Sequence, residues 1–207
     1  MQILGYGEDA LTIWAIKDKL DVILEAVGDS SDSSMCQVFF RPSFGRRGGD
    51  SSPQFGEFDF IILSKDRLYL GESKWVRSSE KLKDGILELR VEQKRRHEVF
   101  KFYVEQWAFG SHSSWREFID RVRLELESGV TKPLAPENSL LAANLQTVLG
   151  VIKKYYASVP DIRNMLLYLY DGRAVKQLPQ KVSEDFDLVC IDYSGADTLD
   201  NFIRIEA

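Results

Sequence analysis

Asp59, Glu72 and Lys74 have the side-chain types and spacing of a metal-dependent hydrolytic site. Asp59 is followed by twelve intervening residues and then by Glu72-Ser73-Lys74. Carboxylate oxygens are preferred ligands of Mg²⁺ and Mn²⁺. An ammonium group beside such a metal can orient a water or stabilise charge that develops on a phosphoryl oxygen. The three residues therefore predict chemistry on a phosphate ester, provided that the fold brings them together.

A predicted β-hairpin brings them together. Residues 57–63 and 68–76 are two β-type runs, and the polar turn of residues 64–67 separates them. If this turn closes as a two- or a four-residue loop, Asp59 lies opposite Glu72. Because side chains alternate along a strand, Asp59, Glu72 and Lys74 then share one face of the hairpin. The predicted hairpin thus gathers two carboxylates and one ammonium group.

Residues directly opposite each other on paired strands have β-carbons about 5 Å apart. Two carboxylates this close repel each other, and a divalent cation relieves the repulsion. The same register places Glu57 opposite Lys74, so a structural salt bridge of Lys74 with Glu57 or Glu72 is the alternative interpretation. Nearer the turn, this face carries only apolar residues. We therefore expect the acidic residues at the rim of an apolar surface. The apolar residues are Ile61, Leu63, Leu68 and Leu70.

This arrangement resembles the D-x(n)-E-x-K signature of the PD-(D/E)XK nuclease superfamily, which includes restriction endonucleases and many repair nucleases. Phe58 stands where the nominal signature has proline. The resemblance implies an α/β fold with a restriction-endonuclease-like mixed β-sheet flanked by helices. It also implies that Asp59, Glu72 and the backbone carbonyl of Ser73 hold one or two Mg²⁺ or Mn²⁺ ions, and that Lys74 assists the attacking water.

The E-x-K spacing has little weight without its strand context, because it occurs about once by chance in a chain of this length. Glu92-Gln93-Lys94 has the same spacing. It lies in a helical pattern, however, where residues two apart do not share a face. The predicted strand therefore favours Glu72 and Lys74 as the site residues.

A long helix is predicted from Lys81 to Trp107, and Gln93 and His97 interrupt its apolar stripe. Gln93-Lys-Arg-Arg-His97 is similar to the Q-x-x-x-Y motif of the RecB-like branch of the superfamily, with His in place of Tyr. Buried Gln and His side chains need hydrogen-bond partners, which catalytic acids, a phosphate or the core itself can provide. A supporting site role and a structural role both remain open.

Further candidates surround this site. Glu8 opens the predicted first helix, where it either completes the metal shell or interacts with the helix dipole. Residues 41–101 hold 14 Lys/Arg against 10 Asp/Glu, although the whole chain has a net charge of −5. Several basic residues there are candidate phosphate contacts, or are simply solvated. These are Arg41, Arg46, Arg47, Arg77, Lys94, Arg95 and Arg96.

The remaining elements complete a mixed α/β order, and we expect a single nuclease-like domain of 207 residues with its core at about 5–193. Helices are predicted at 10–27, 115–126 and 139–156, and strands at 35–44, 165–170 and 186–193. No apolar run is long enough for a membrane span, and the start lacks the pattern of a signal peptide. With two widely separated cysteines and no metal-ligand spacing around them, a cytoplasmic location is expected.

These patterns predict a Mg²⁺-dependent deoxyribonuclease, and endonuclease and exonuclease action are not distinguished. The preference for DNA over RNA follows from the resemblance alone. The alternative is a non-catalytic nucleic-acid-binding or accessory subunit with a nuclease-like fold. The expected partner is nucleic acid, and no association with a membrane is expected. Assembly as a homodimer or in a larger complex stays open.

Overall fold

The computed structural model describes residues 2–45, 52–76, 82–83, 85–125, 133–175, 177–182, 185–199 and 202–206. The chain forms two compact units. Unit 1 contains Met1–Phe40, Phe58–Leu89 and Arg163–Ala207, and unit 2 contains Arg41–Glu57 and Arg90–Ile162. The expectation of a single domain stays a prediction.

Thirteen strands and four α-helices are defined within these ranges. The strands are β1 (Gln2–Tyr6), β2 (Gln37–Phe40), β3 (Ser43–Phe44), β4 (Gly56–Glu57), β5 (Phe60–Leu63), β6 (Arg67–Trp75), β7 (Leu82–Lys83), β8 (Ile86–Leu87), β9 (Asp161–Tyr170), β10 (Lys181–Val182), β11 (Asp187–Asp192), β12 (Thr198–Leu199) and β13 (Phe202–Glu206). The helices are α1 (Gly7–Ala26), α2 (Val91–Tyr103), α3 (Trp115–Glu125) and α4 (Leu140–Tyr155), with a 3-10 turn at Ser33–Met35 and a π-helical turn at Val104–Ala108.

The main sheet of unit 1 is mixed, which confirms the coarse α/β class. Its strand order is β11-β9-β6-β5-β2. Strands β9 and β11 are parallel, whereas β2, β5 and β6 form antiparallel pairs. The predicted hairpin is present in the predicted register, from Leu63 opposite Leu68 to Phe60 opposite Gly71.

Helix α1 covers one face of this sheet. Its buried Leu11, Trp14 and Ile23 belong to the same apolar cluster as Phe60 and Tyr69 of the hairpin. Burial of such side chains contributes about 1.5–3 kcal/mol each. This stripe, at helical spacing, is the reason that the chain is a helix here.

The last pair of the hairpin ladder can form because residue 71 has no side chain. A Cβ atom added at Gly71 would lie 2.0 Å from the Phe60 ring directly opposite. The aromatic ring therefore occupies the space that any other residue at position 71 would fill, immediately before Glu72. Glycine at this position keeps the two strands in register up to the candidate site.

The core of unit 1 extends beyond the predicted limits of 5–193. Strands β1 and β13 pair antiparallel, and Ile203 and Ile205 belong to the cluster beneath α1. Each of these strands has only five residues, which is a short run for a periodic signal.

Two further expectations about elements are wrong. The predicted strand 35–44 divides into β2 and β3, which belong to different sheets, and Arg41 between them has a φ of 50°. The predicted helix 81–107 begins only at Val91, since β7 and β8 precede it. Gly85, with a φ of 79°, lies between these short strands and ends the helical pattern.

Unit 2 has an aromatic core beside its helices. Tyr103 stacks on Trp115 with ring centroids 5.8 Å apart, and Phe118 packs 5.2 Å from Trp115. The predicted helices at 115–126 and 139–156 are confirmed as α3 and α4. In α4, the Ser139 hydroxyl accepts the N–H of Ala142 as an N-terminal cap.

None of the helices in the described part of the chain is long and apolar enough to cross a membrane.

A buried carboxylate fixes the turn end of the hairpin against the chain that follows α1. Asp29 Oδ2 accepts hydrogen bonds from Ser64 Oγ at 2.7 Å and from Tyr69 OH at 2.8 Å, and Oδ1 accepts from Ser31. Burial raises the pKa of Asp29, but these hydrogen bonds outweigh it and lower the pKa to about 2.

Asp29→Asn should destabilise the protein by about 1–3 kcal/mol at pH 7, because an amide cannot accept all of these hydrogen bonds. A depressed pKa stabilises the fold above the unfolded value near 4, and this contribution is lost as the pH falls towards 2. Urea unfolding at pH 7 and at pH 2.5 should therefore show a smaller difference between the two proteins in acid.

Asp32→Asn is the matched control. Asp32 accepts the same two hydrogen bonds from Ser34, two residues later, but it is exposed and belongs to no cluster of this kind. An equal loss of stability in the two variants would contradict the role given to Asp29.

Candidate metal centre

The candidate site lies along one edge of β6, where this strand continues beyond β5. The paired ladder ends at Phe60 and Gly71, whereas β6 runs to Trp75. Val76 N–H donates to Leu169 O in β9 at 3.0 Å. Because N–H groups alternate in direction along a strand, those of Ser73 and Trp75 point to the opposite side, where β5 has ended.

Two carboxylates accept these N–H groups. Ser73 N–H donates to Asp59 Oδ2 at 2.7 Å, and Trp75 N–H donates to Glu8 Oε2 at 2.7 Å. Asp59 also donates its own N–H to Gly71 O at 3.2 Å, which continues the hairpin by one hydrogen bond. A side chain from α1 and one from the residue before β5 thus replace a strand as the partners of β6.

The hydrogen bonds to β6 place the Asp59 and Glu8 carboxylates next to each other. Ser73 and Trp75 are two residues apart, so their N–H groups are about 7 Å apart along the strand. Asp59 and Glu8 therefore lie side by side at one strand edge, although they are far apart in sequence. The carbonyl of Ser73 points to the same edge as its N–H, because both groups of a strand residue face the same neighbour.

The other two predicted residues are buried in β6. Glu72 is 1% exposed and Lys74 is 7% exposed. Both are more enclosed than the rim position expected from the sequence. A buried charge is costly without compensation, so an ammonium group two residues from the Glu72 carboxylate is a favourable neighbour.

The pKa of Asp59 reports the electrostatics of the cluster. Burial raises this pKa, the charge of Glu72 raises it further, and Glu8 adds to the effect. The Ser73 N–H and the charge of Lys74 lower it, but the pKa still reaches about 7. Three carboxylates and one ammonium group therefore interact here, with negative charge in excess.

The donor chemistry fits a hard cation such as Mg²⁺. Among the residues that the structure describes, no three Asp, Glu, His or Cys side chains form a complete metal-binding group. Mg²⁺ does not require one, because it usually takes one or two carboxylates and keeps waters that a phosphate can replace. Asp59, Glu72 and the Ser73 carbonyl are the oxygen donors that would hold it.

The regular strand β5 does not extend to Glu57 as predicted, and the supporting role expected for Glu57 opposite Lys74 stays a prediction. Glu57 belongs to β4, pairs with Ser43 of β3 and forms an ion pair with Arg41. The hairpin ladder ends before Glu57, because the chain between β4 and β5 leaves the regular strand at Phe58 and Asp59. Arg41, predicted to contact phosphate, is exposed and neutralises this carboxylate within unit 2.

Gln93 and His97 lie in unit 2, in the first turns of α2. Both are buried, at 3% and 1% exposure. Gln93 Oε1 accepts the N–H of Arg90 at 3.0 Å, so its side chain caps the helix. This contact supports the structural interpretation of Gln93, and the proposed supporting role of both residues stays a prediction.

The basic candidates differ in position. Lys94 and Arg95 are half-buried on α2, and Arg96 is 5% exposed, so Arg96 is not a solvated surface charge. Arg46, Arg47 and Arg77 lie outside the described residues. Contact of any of these side chains with phosphate stays a prediction.

The sequence did not single out the role of Trp75. Its indole packs against the α1 cluster. Its N–H, however, also binds Glu8 and so joins α1 to the site. Backbone groups carry no sequence signal, and the only indication was an acidic residue in the first turn of α1.

Comparison of this chain with models of protein families, with curated proteins and with solved structures found no match.

Asp59→Asn should stabilise the metal-free protein at pH 8. A carboxyl with a raised folded-state pKa stabilises the fold while protonated, and this contribution is lost as the pH rises from about 4 to about 7. After allowance for partial exposure, the gain should be about 1–3 kcal/mol at pH 8 and close to zero at pH 4. Thermal or urea unfolding in EDTA measures it.

Millimolar Mg²⁺ should raise the melting temperature of the wild type but not that of Asp59→Asn, so that the wild type becomes the more stable of the two proteins. Asp66→Asn, at an exposed position in the turn of the same hairpin, is the control and should respond to Mg²⁺ like the wild type. An equal rise for Asp59→Asn would count against Asp59 as a ligand.

Proposed function

We propose that this chain is a Mg²⁺-dependent nuclease of the PD-(D/E)XK type that hydrolyses phosphodiester bonds, with DNA as substrate. One observation carries the proposal. Asp59 and Glu8 bind successive N–H groups at the free edge of the strand that contains Glu72 and Lys74. This supports the strand-based motif and a restriction-endonuclease-like form of the α/β fold.

Each residue has a distinct task in this proposal. Asp59, Glu72 and the Ser73 carbonyl would hold the cation, which supplies a polarised phosphate and a nucleophilic water when bound. The hydrogen bond from Ser73 N–H fixes the Asp59 carboxylate against β6. Glu8 holds the Trp75 backbone and adds negative charge beside the site, so it is a positioning residue.

Lys74 provides the positive charge close to the reacting phosphate. A buried ammonium group is held in one region by the surrounding strand, so it loses little freedom when substrate binds. It can donate a hydrogen bond to the attacking water or to a non-bridging phosphoryl oxygen, where negative charge increases in the transition state. The water oxygen forms a bond to phosphorus while the bond to the leaving oxygen breaks.

Asp59→Ala, Glu72→Gln and Lys74→Ala should each lower the rate of DNA cleavage in Mg²⁺ by about 10²–10³-fold. Glu8→Gln should lower it by about 10–100-fold, because it acts through the ligands. Gel assays of supercoiled plasmid and end-labelled oligonucleotides, with EDTA as the metal-free control, measure the rates. Circular dichroism checks that each variant is folded.

Glu92→Gln is the matched control, because Glu92-Gln93-Lys94 repeats the E-x-K spacing at an exposed helical position. Its rate should equal that of the wild type. Cleavage that survives in both Asp59→Ala and Lys74→Ala would refute the site. Nucleic-acid binding without cleavage in Mg²⁺ and Mn²⁺ would refute the catalytic function and favour an accessory subunit.

A further inference from the structure

A cleft in unit 1 begins one residue away from the candidate metal centre. It has a volume of about 110 Å³. Trp75, which follows Lys74, and Gly7, which precedes Glu8, both line it. The hydrogen bond from Trp75 N–H to Glu8 joins these two positions. The cleft and the acidic cluster therefore share the same short segments of β6 and α1.

A hydrogen bond between two of its rings holds the aromatic wall of the cleft in place. Trp75 Nε1–H donates to Tyr193 OH at 2.8 Å, which fixes both rings. Phe202 also lines the cleft and is 43% exposed. Tyr6, 63% exposed, lies beside it with ring centroids 5.7 Å apart. Large exposed aromatic side chains next to a cleft are typical of binding surfaces.

The polar side of the cleft is equally ordered. Arg173 donates to Asp171 from Nε at 2.9 Å and from an Nη atom at 3.0 Å, and its backbone N–H binds the same carboxylate. The Arg173 side chain is nevertheless 69% exposed. A guanidinium plane held in this way is available for stacking, and the adjacent carboxylate can accept hydrogen bonds.

We infer that this cleft binds one unpaired nucleobase of the substrate strand, so that the nuclease acts on single-stranded ends, flaps or frayed termini. This inference rests on the proposed function. A flat heteroaromatic ring with N–H donors matches aromatic walls, a guanidinium plane and a carboxylate. A stacked duplex cannot place a base in such a cleft, because the base must leave the helix to enter it.

The charges that line the cleft favour binding of a base over binding of a phosphate. Asp171 neutralises Arg173, so the polar side offers no net positive charge for the backbone. The phosphate is expected at the metal centre instead, one residue along β6. A nucleotide would thus have its base in the cleft and its phosphate at the edge of β6, because the two sites share Trp75 and the start of α1.

The test is binding of fluorescein-labelled single-stranded and duplex oligonucleotides in EDTA, where no cleavage is required. Phe202→Ala should weaken single-strand binding by about 5- to 100-fold, Phe202→Trp should retain it, and Arg173→Ala should weaken it by a smaller factor. A 2-aminopurine base scanned along the oligonucleotide should show a fluorescence change on binding that Phe202→Ala abolishes. Duplex binding should be little affected.

Matched controls exist for both positions. Leu199 pairs with Phe202 in the same small sheet and is 44% exposed, but does not line the cleft. Arg163 pairs with Asp187 as Arg173 does with Asp171. Leu199→Ala and Arg163→Ala should bind single strands like the wild type.

Unchanged single-strand affinity in Phe202→Ala and Arg173→Ala would overturn the inference, and so would equal losses in the controls. If the wild type cleaves DNA in Mg²⁺ while Phe202→Ala binds normally, the cleft is wrong and the nuclease stands. If Phe202→Ala loses single-strand binding but the wild type never cleaves, the cleft stands and the nuclease is wrong.

Discussion

A strand that runs beyond its neighbour leaves backbone N–H groups that need other acceptors. In unit 1, β6 runs beyond β5, and the acceptors at this edge are the carboxylates of Asp59 and Glu8. Two negative charges are thus drawn to one strand edge, beside the buried Glu72. The same two hydrogen bonds satisfy the backbone N–H groups of β6 and place the carboxylates at its edge. The proposed chemistry depends on both effects.

Helix α1 is held to the hairpin at both ends by acidic residues. Glu8, in its first turn, binds the end of β6, and Asp29, just beyond its last turn, binds the opposite end of the hairpin through Ser64 and Tyr69. The two carboxylates differ in their surroundings. Asp29 is fully satisfied by neutral donors, whereas Glu8 lies among like charges. Asp29 therefore stabilises the fold, and Glu8 connects the fold to the site.

The hairpin could be predicted from sequence because a two-residue period and a polar turn determine which residues are opposite. Phe60 faces Gly71 as the turn requires, and that register places Asp59 beside Glu72 and Ser73. The helices α1, α3 and α4 were predictable for a similar reason, since each has an apolar stripe at helical spacing. Local periodicity is enough for these elements.

Other features depend on contacts that periodicity does not contain. The pattern of Leu82, Ile86 and Leu89 continues that of α2, yet Gly85 divides this segment into two short strands. Residues 57–63 were predicted as one strand, but Glu57 pairs with Ser43 of β3. The contact between Glu8 and the Trp75 backbone joins residues 67 positions apart, so no local pattern could reveal it.

The central claim is that the edge of β6 holds a divalent cation. A crystal structure grown with Mn²⁺ and recorded at a wavelength where manganese scatters anomalously tests it directly. We predict an anomalous peak within about 2.0–2.3 Å of a carboxylate oxygen of Asp59, one of Glu72 and the Ser73 carbonyl. An anomalous map without a peak at these atoms, at a Mn²⁺ concentration that supports cleavage, would contradict the account.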